Sequence, residues 1–145
     1  MNLEELMTEW EGDAEVSPFD LSGEAIRIGK LKAKYMRHFS NFNLKAKKLG
    51  VEFREKKDWK RRYYKGEFNN PKDLEQYKIE PYRGLAVNAD IQAILDADSE
   101  LNKILLAKDY NEECARFCEL VLDELTKRSF SIGNAIKWNI FQGGG

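Results

Sequence analysis

The feature that most constrains the fold of this chain is a long stretch without proline, between Pro18 and Pro71. Apolar residues recur in it at spacings of three and four, the pattern of one face of an α-helix. They are Ile28, Leu31, Tyr35, Phe39, Phe42, Ala46, Leu49 and Phe53. With Ser22 as N-cap and Gly66 beyond the end, the pattern predicts one long helix over residues 25–65, on the order of 65 Å in length. Its apolar stripe has to pack against later helices or against another subunit.

Shorter helical patterns lie on both sides of this helix. Asn2 and Glu5 have the spacing of a capping box, which predicts a short amphipathic helix within the acidic segment 1–24. Residues 66–98 contain two prolines and turn signals. We therefore predict a connector with short helical pieces there, around 73–77 and near Ile91.

The C-terminal segment 99–142 has a second long apolar stripe. Ser99 is placed to cap a long helix, and a final helix is predicted from about Ser131. No alternating strand pattern competes with these helices. The predicted fold is all-α, a single helical domain over residues 1–145 in which the long central basic helix packs with C-terminal helices for core and oligomerisation.

Composition adds a constraint on assembly. Charged residues make up 34% of the chain, above the roughly 25% of typical globular domains. The hydrophobic share of 42% and the aromatic share of 12% are nonetheless too high for a disordered chain. We expect a folded protein, and association with copies of itself is one way to complete its core.

Several classes of protein are disfavoured by the sequence. No apolar run approaches the ~18 residues of a membrane span, and an acidic N-terminus predicts no export and a reducing cytoplasm. Cys114 and Cys118 lie four residues apart, and His38 is the single histidine, so we predict buried thiols rather than a metal site. Phosphate-binding, dinucleotide-binding and zinc-protease motifs are absent. We predict no enzyme, no catalytic residues and no cofactor, and a packing or hydrogen-bonding role for His38.

The near-neutral net charge of -1 conceals a strongly uneven distribution. Residues 1–24 carry eight acids and no Lys or Arg, which gives -8. Residues 27–65 carry fifteen basic and three acidic residues, or +12, and residues 66–145 carry nine basic and fourteen acidic, or -5. A basic block of this density repels itself unless a polyanion or the acidic block compensates it, and it predicts a polyanionic partner.

The end of the basic block interleaves cations with aromatic residues, a mixture suited to nucleic acid. Lys and Arg neutralise phosphates, while aromatic faces stack unpaired bases at ~1 to 3 kcal/mol each. Trp59 and Tyr63, four residues apart, suit packing in a core equally well. The predicted DNA-binding residues are Lys47, Lys48, Arg54, Lys56, Lys57, Lys60, Arg61, Arg62, Lys65, Tyr63 and Tyr64.

Four motifs, in this order and over nearly the whole chain, give the sequence a family resemblance. They are Leu3-Glu4-Glu5-Leu6, the basic helix ending in Tyr63-Tyr64-Lys65-Gly66, Asp96-Ala97-Asp98-Ser99, and Lys127-Arg128-Ser129-Phe130-Ser131-Ile132. The chain resembles the UvsY family, the recombination mediators of T-even-type phages. The resemblance implies a non-enzymatic, ring-like homo-oligomer, a hexamer or heptamer, in the cytoplasm of the infected bacterial host. It also implies binding to single-stranded DNA, to the RecA-like recombinase UvsX and to the phage single-strand-binding protein, which the recombinase then replaces.

The resemblance also carries residue-level expectations. The family's DNA contact includes a Leu-Lys-Ala-Arg motif before Tyr-Tyr-x-Gly, and an ungapped count places its arginine on Lys60 and its lysine on Asp58. Lys57 or Arg61 would supply the missing cation. The C-terminal self-association segment of the family corresponds to Ile132, Ile136, Trp138, Ile140 and Phe141.

Three matters stay open at the level of sequence. The acidic N-terminal helix would either dock the recombinase or mask the basic face when DNA is absent. A helical scaffold or adaptor without DNA-loading activity is the main alternative function, because intramolecular pairing would also explain the basic helix. Binding of the basic helix to anionic lipid is a third possibility that vesicle sedimentation tests.

Overall fold

The computed structural model describes residues 1–82, 84 and 88–143, and the fold it shows is all-α. These residues form five helices, α1 (Leu3–Asp13), α2 (Leu21–Tyr64), α3 (Pro71–Tyr77), α4 (Asn88–Asp96) and α5 (Ser99–Gln142). No strand occurs among the described residues. The predicted fold class and the predicted long central helix are therefore confirmed.

The start of α1 follows the predicted capping box. The Asn2 side chain accepts a hydrogen bond from the Glu5 backbone at 2.8 Å, and the Asn2 backbone donates to the Glu5 carboxylate at 3.1 Å. These two bonds satisfy backbone groups that have no partner within the first helical turn. Gly12 lies inside the helix, which continues to Asp13.

The N-terminal cap of α2 differs from the prediction. Asp20, rather than Ser22, accepts a hydrogen bond from the Gly23 backbone, at 3.1 Å. A Cβ atom at Gly23 would lie 2.1 Å from the Asp20 carboxylate, so glycine allows this close approach. The C-terminal end agrees with the prediction, because Gly66 adopts a positive φ of 82° directly beyond the helix.

The prediction of a separate final helix from Ser131 is wrong. α5 runs without interruption from Ser99 to Gln142. Ile132 and Ile136 continue the apolar stripe after Leu125, and no proline interrupts it, so nothing ends the helix at Ser131. The cap of α5 is Asp98, whose carboxylate accepts a hydrogen bond from the Leu101 backbone at 2.9 Å, and Ser99 is the first helical residue.

Two compact units make up the chain, one formed by residues 1–44 with 111–145 and the other by residues 45–110. In the first unit, α1 and parts of α2 and α5 enclose an apolar core. The buried residues of this core are Leu6, Ile28, Leu31, Tyr35, Phe42, Cys114, Ala115, Cys118, Val121, Leu125 and Ile132. The single domain predicted over residues 1–145 stays a prediction.

The two cysteines of the first unit are fully buried and free, as predicted. Burial raises the pKa of the Cys118 thiol to about 11, so the thiol stays protonated at neutral pH. His38 has a half-buried ring that packs edge-on against Tyr35 and lies 3.1 Å from a Glu9 carboxylate oxygen. The predicted packing and hydrogen-bonding role of His38 is therefore confirmed.

The second unit has a smaller core. Ile91 and Leu95 of α4 and Leu101 of α5 are buried together, and Phe53 and Tyr64 of α2 pack against them. An aromatic cluster lies at the end of α2, and it consists of Trp59, Tyr63, Tyr64, Phe68, Tyr77 and Tyr82. These contacts hold α3 and the connector against the basic end of α2.

Candidate nucleic-acid interface

The predicted DNA-binding cations lie on two different faces of α2. Lys47, Arg54 and Arg61 lie on α2 at intervals of seven residues, which places them on one face of the helix. Lys65 directly follows the helix on the same face, four residues after Arg61, whose carbonyl accepts its backbone hydrogen bond at 3.0 Å. All four are exposed. We call this row the outer face, and from Lys47 to Lys65 it extends about 27 Å along the helix axis.

Most of the outer face carries uncompensated positive charge. In the described ranges, no ion pair involves Lys47, Arg54 or Lys65. Arg61 differs from them, because its guanidinium binds the carboxylate of Asp58 one turn before it. Asp58, where the resemblance led us to expect a lysine, thus forms an ion pair with Arg61.

Two further predicted cations flank the outer face. Lys48 is exposed and, in the part of the chain that the structure describes, makes no ion pair. The Lys57 ammonium lies 5.7 Å from the centroid of the Phe53 ring, a cation–π contact that leaves it without a carboxylate partner among the described residues. Both side chains add positive charge to the surface beside the outer face.

Lys56 and Lys60 point instead toward the start of α5, and we call them the inner pair. Lys60 Nζ lies 2.8 Å from Asp98 and 2.9 Å from Glu100, and Lys56 Nζ lies 2.7 Å from Glu100 and 3.7 Å from Glu52. The Lys60 side chain is only 19% exposed. Unlike the outer face, the inner pair is neutralised within the unit.

The protonation equilibria of these groups reflect the same pairing. Partial burial lowers the pKa of Lys60, but the hydrogen bonds to Asp98 and Glu100 outweigh it and raise the pKa above its usual value. The hydrogen bond from Lys60 is the main cause of a lowered pKa at Asp98. The ion pairs are therefore fully charged at neutral pH.

Arg62 lies between the cations and the aromatic cluster. Its guanidinium lies 2.8 Å from Glu67 and is stacked 4.8 Å from the centroid of the Phe68 ring. About half of the side chain remains exposed, so it still contributes to the surface charge.

The aromatic residues predicted to stack bases are largely used for packing. The Tyr63 ring is parallel to Trp59 at 5.8 Å, and its hydroxyl donates to the Glu80 carbonyl at 2.8 Å. Tyr64 packs against the core of the second unit and meets Tyr82 edge-on at 5.0 Å. The spacing of Trp59 and Tyr63 left open whether these rings stack bases or pack in a core. Their contacts show that they pack.

The acidic N-terminal segment pairs with cations of its own unit. Lys34 Nζ lies 2.7 Å from Glu9 and 2.6 Å from Asp13. Desolvation raises the pKa of each carboxyl group, but the hydrogen bonds and charge of Lys34 outweigh it and lower both pKa values. Part of the acidic block thus fixes α1 onto α2 and compensates the first part of the basic block.

The residues predicted for oligomerisation divide into buried and exposed ones. Ile132 is only 7% exposed and belongs to the core of the first unit, and Ile136 packs against that core. Trp138, Ile140 and Phe141 are exposed on the last turns of α5, where the Trp138 and Phe141 rings stack at 5.7 Å. Ile140 lies about 200° around the helix from Trp138, on its opposite side. We call these three exposed apolar residues together the C-terminal patch.

The described residues contain neither a membrane-spanning helix nor a metal-binding cluster. Among the described residues, no helix contains an apolar stretch that could span a lipid bilayer. In the same residues, no three side chains of His, Cys, Asp or Glu come together as they would around a metal ion.

The chain is all-α, and one long helix carries a row of cations without carboxylate partners among the described residues. This arrangement is typical of helical proteins that bind a polyanionic strand. One protein family, described as the recombination, repair and single-stranded-DNA-binding protein UvsY, matches residues 9–145. The chain belongs to the UvsY family. Its membership confirms the expected role in recombination and repair as a protein that binds single-stranded DNA.

Solved structures share the fold. A crystal structure of the bacteriophage T4 recombination mediator protein UvsY, in lattice type II, superposes with a TM-score of 0.82 at 21% identity, covering 99% of this chain and 98% of that one. A second crystal structure of the T4 protein, in lattice type IV, gives a TM-score of 0.81 at 21% identity, with 97% and 99% covered. No curated protein sequence matches the chain.

Proposed function

We propose that this protein binds single-stranded DNA along the outer face of α2 and loads a RecA-like recombinase, the UvsX of its phage, onto strands coated by the phage single-strand-binding protein. It would act in homologous recombination, recombination-dependent replication and repair in the cytoplasm of the infected bacterium. The observation that carries the proposal is the row of exposed cations without carboxylate partners among the described residues, Lys47, Arg54 and Lys65.

The outer face suits a contact that forms and releases readily. Each cation that neutralises a phosphate releases a condensed counterion, and on single strands this contributes about 0.7 to the slope of log affinity against log salt. A few such contacts per subunit give moderate affinity. A recombinase that assembles on the same strand is then able to displace the protein.

Assembly of several copies would compensate for the modest affinity of one subunit. A closed ring of six or seven copies presents as many outer faces to one strand, and linked sites gain avidity without any new contact. The exposed C-terminal patch of Trp138, Ile140 and Phe141 is the surface that we propose for self-association. Ile132 and Ile136 contribute to it indirectly, because their packing holds the end of α5 in place.

The acidic N-terminal segment has a narrower proposed role. Glu9 and Asp13 already bind Lys34, so they are not available to cover the outer face. Glu4 and Glu11 remain exposed on α1. We favour these two acids as part of the docking surface for the recombinase over a role in masking the DNA site.

Titration of an oligo-dT strand at several salt concentrations tests the DNA-binding part of the proposal. We expect binding that weakens steeply as salt is raised, because phosphate contacts dominate the affinity. A scaffold protein without DNA function would bind this strand weakly. No feature of the described residues argues specifically for such a scaffold. Absent binding, or a salt slope near zero, would contradict the proposal.

A further inference from the structure

The aromatic cluster of the second unit contains one ring that is open to solvent and that the sequence pattern did not indicate. We infer that Tyr77, at the end of α3, stacks a base of the bound single strand beside the basic end of α2. The inference rests on the proposed function and adds a base contact to the phosphate contacts of the outer face. Tyr77 is 42% exposed, whereas Trp59, Tyr63 and Tyr64 are half-buried.

The Tyr77 ring is held in place by its neighbours. It meets Trp59 edge-on at 5.7 Å with an interplanar angle of 79°, and it lies 5.3 Å from Phe68 at 59°. Phe68 is almost fully buried and Trp59 packs on it at 5.2 Å, so the support is rigid. A ring fixed on one side and open on the other can stack a base with little loss of side-chain freedom.

Cations lie close to this ring. Phe68, which contacts Tyr77, also carries the Arg62 guanidinium at 4.8 Å from its ring centroid. Lys78 follows Tyr77 directly, with an exposed side chain and, within the described ranges, no ion pair. Arg62, through its contact with Phe68, and Lys78, as the next residue in the chain, therefore supply positive charge near Tyr77.

Single-stranded rather than duplex DNA fits this arrangement. A base stacks on a protein ring only when it is unpaired and splayed from its neighbours, and every base has a π-face, so the contact tolerates any sequence. The Arg62 and Lys78 side chains are the cations that we expect to meet phosphates near the stacked base. The combination gives preference for single strands without sequence readout.

The test compares Tyr77→Ala and Tyr77→Phe on two ligands in the full-length protein, an oligo-dT strand and a strand of the same length whose central sites are abasic. We expect Tyr77→Ala to weaken binding to oligo-dT by roughly 5- to 150-fold, the range of one lost base stack. Binding to the abasic strand and the salt slope should both stay unchanged, because no phosphate contact is lost. Tyr77→Phe should bind both strands like the wild type.

Tyr110→Ala is the matched control, because Tyr110 on α5 is a tyrosine of similar exposure, 44%. Equal losses of Tyr77→Ala on the two strands would overturn the inference, since they would indicate damage to the cluster rather than loss of a stack. A loss of base-dependent binding by Tyr110→Ala as large as that by Tyr77→Ala would overturn it too. If the wild type bound neither strand, the proposed function itself would fail.

Discussion

The division of the basic helix into two faces makes a quantitative prediction. Lys47→Ala with Arg54→Ala removes two cations of the outer face that have no carboxylate partner among the described residues. At about 0.7 per phosphate contact, the slope of log affinity against log salt should flatten by about 1.4 for each subunit that contacts the strand. Over a fourfold rise in salt, the affinity of the wild type should then fall about sevenfold more than that of the variant for each such subunit. Fluorescence anisotropy of a labelled oligo-dT strand measures both slopes.

The inner pair provides a control with the same change in net charge. Lys56→Ala with Lys60→Ala removes cations that Asp98 and Glu100 already neutralise, so the salt slope should stay close to that of the wild type. Loss of Lys60 leaves the Asp98 carboxylate, 13% exposed, without its cation, and we expect stability to fall by about 1 to 2 kcal/mol in thermal unfolding. A slope that flattens as much in the inner-pair variant as in the outer-face variant would refute the division into two faces.

Three further predictions follow from the ion pairs and the exposed surfaces. Asp58→Lys adds a cation and releases Arg61, so the salt slope should steepen by about 1.4 for each subunit that contacts the strand. An unchanged slope in the same titration would count against the outer face as the DNA-binding surface. Trp138→Ser with Phe141→Ser should lower the assembled mass in analytical ultracentrifugation while helicity by circular dichroism is kept, and an unchanged mass would exclude the C-terminal patch as an interface. In the folded protein, Glu9 and Asp13 have pKa values below their ordinary values of 4.5 and 3.8. Their contribution to stability is therefore complete when the pH is above the ordinary values, and it is lost as the pH falls through the lowered pKa values of the folded state. Denaturation across pH 2 to 6 should show this loss, and Glu9→Gln with Asp13→Asn should reduce it.

The helices were predictable because their signals are local. The capping box of α1 and the positive-φ Gly66 at the end of α2 lie within a few residues of the ends they define. The caps of α2 and α5 were missed by one or two residues, because an aspartate and a serine stand close together at both places and either can cap a helix. The apolar stripe resumes at Ile132 within the same helix, so the predicted start of a new helix at Ser131 is wrong.

The candidate site was predictable in composition but not in geometry. Charge density and interleaved aromatic residues identified the basic segment, yet Lys56 and Lys60 have partners in Glu100 and Asp98, 44 and 38 residues away. Sequence spacing alone does not show which cations such distant acids neutralise. Tyr77 was missed for the same reason, because only the packed connector brings it to the end of α2.

Recombinase loading tests the central claim most directly. Single-stranded DNA is first coated with the phage single-strand-binding protein, the recombinase is added at a concentration too low to displace it, and strand-dependent ATP hydrolysis by the recombinase is followed. We expect the wild-type protein to shorten the lag and raise the final rate, and the outer-face variant Lys47→Ala with Arg54→Ala to lose most of this stimulation, while the inner-pair variant keeps it. A wild-type protein that binds the bare strand but leaves the lag and the rate unchanged would contradict its role as a recombination mediator.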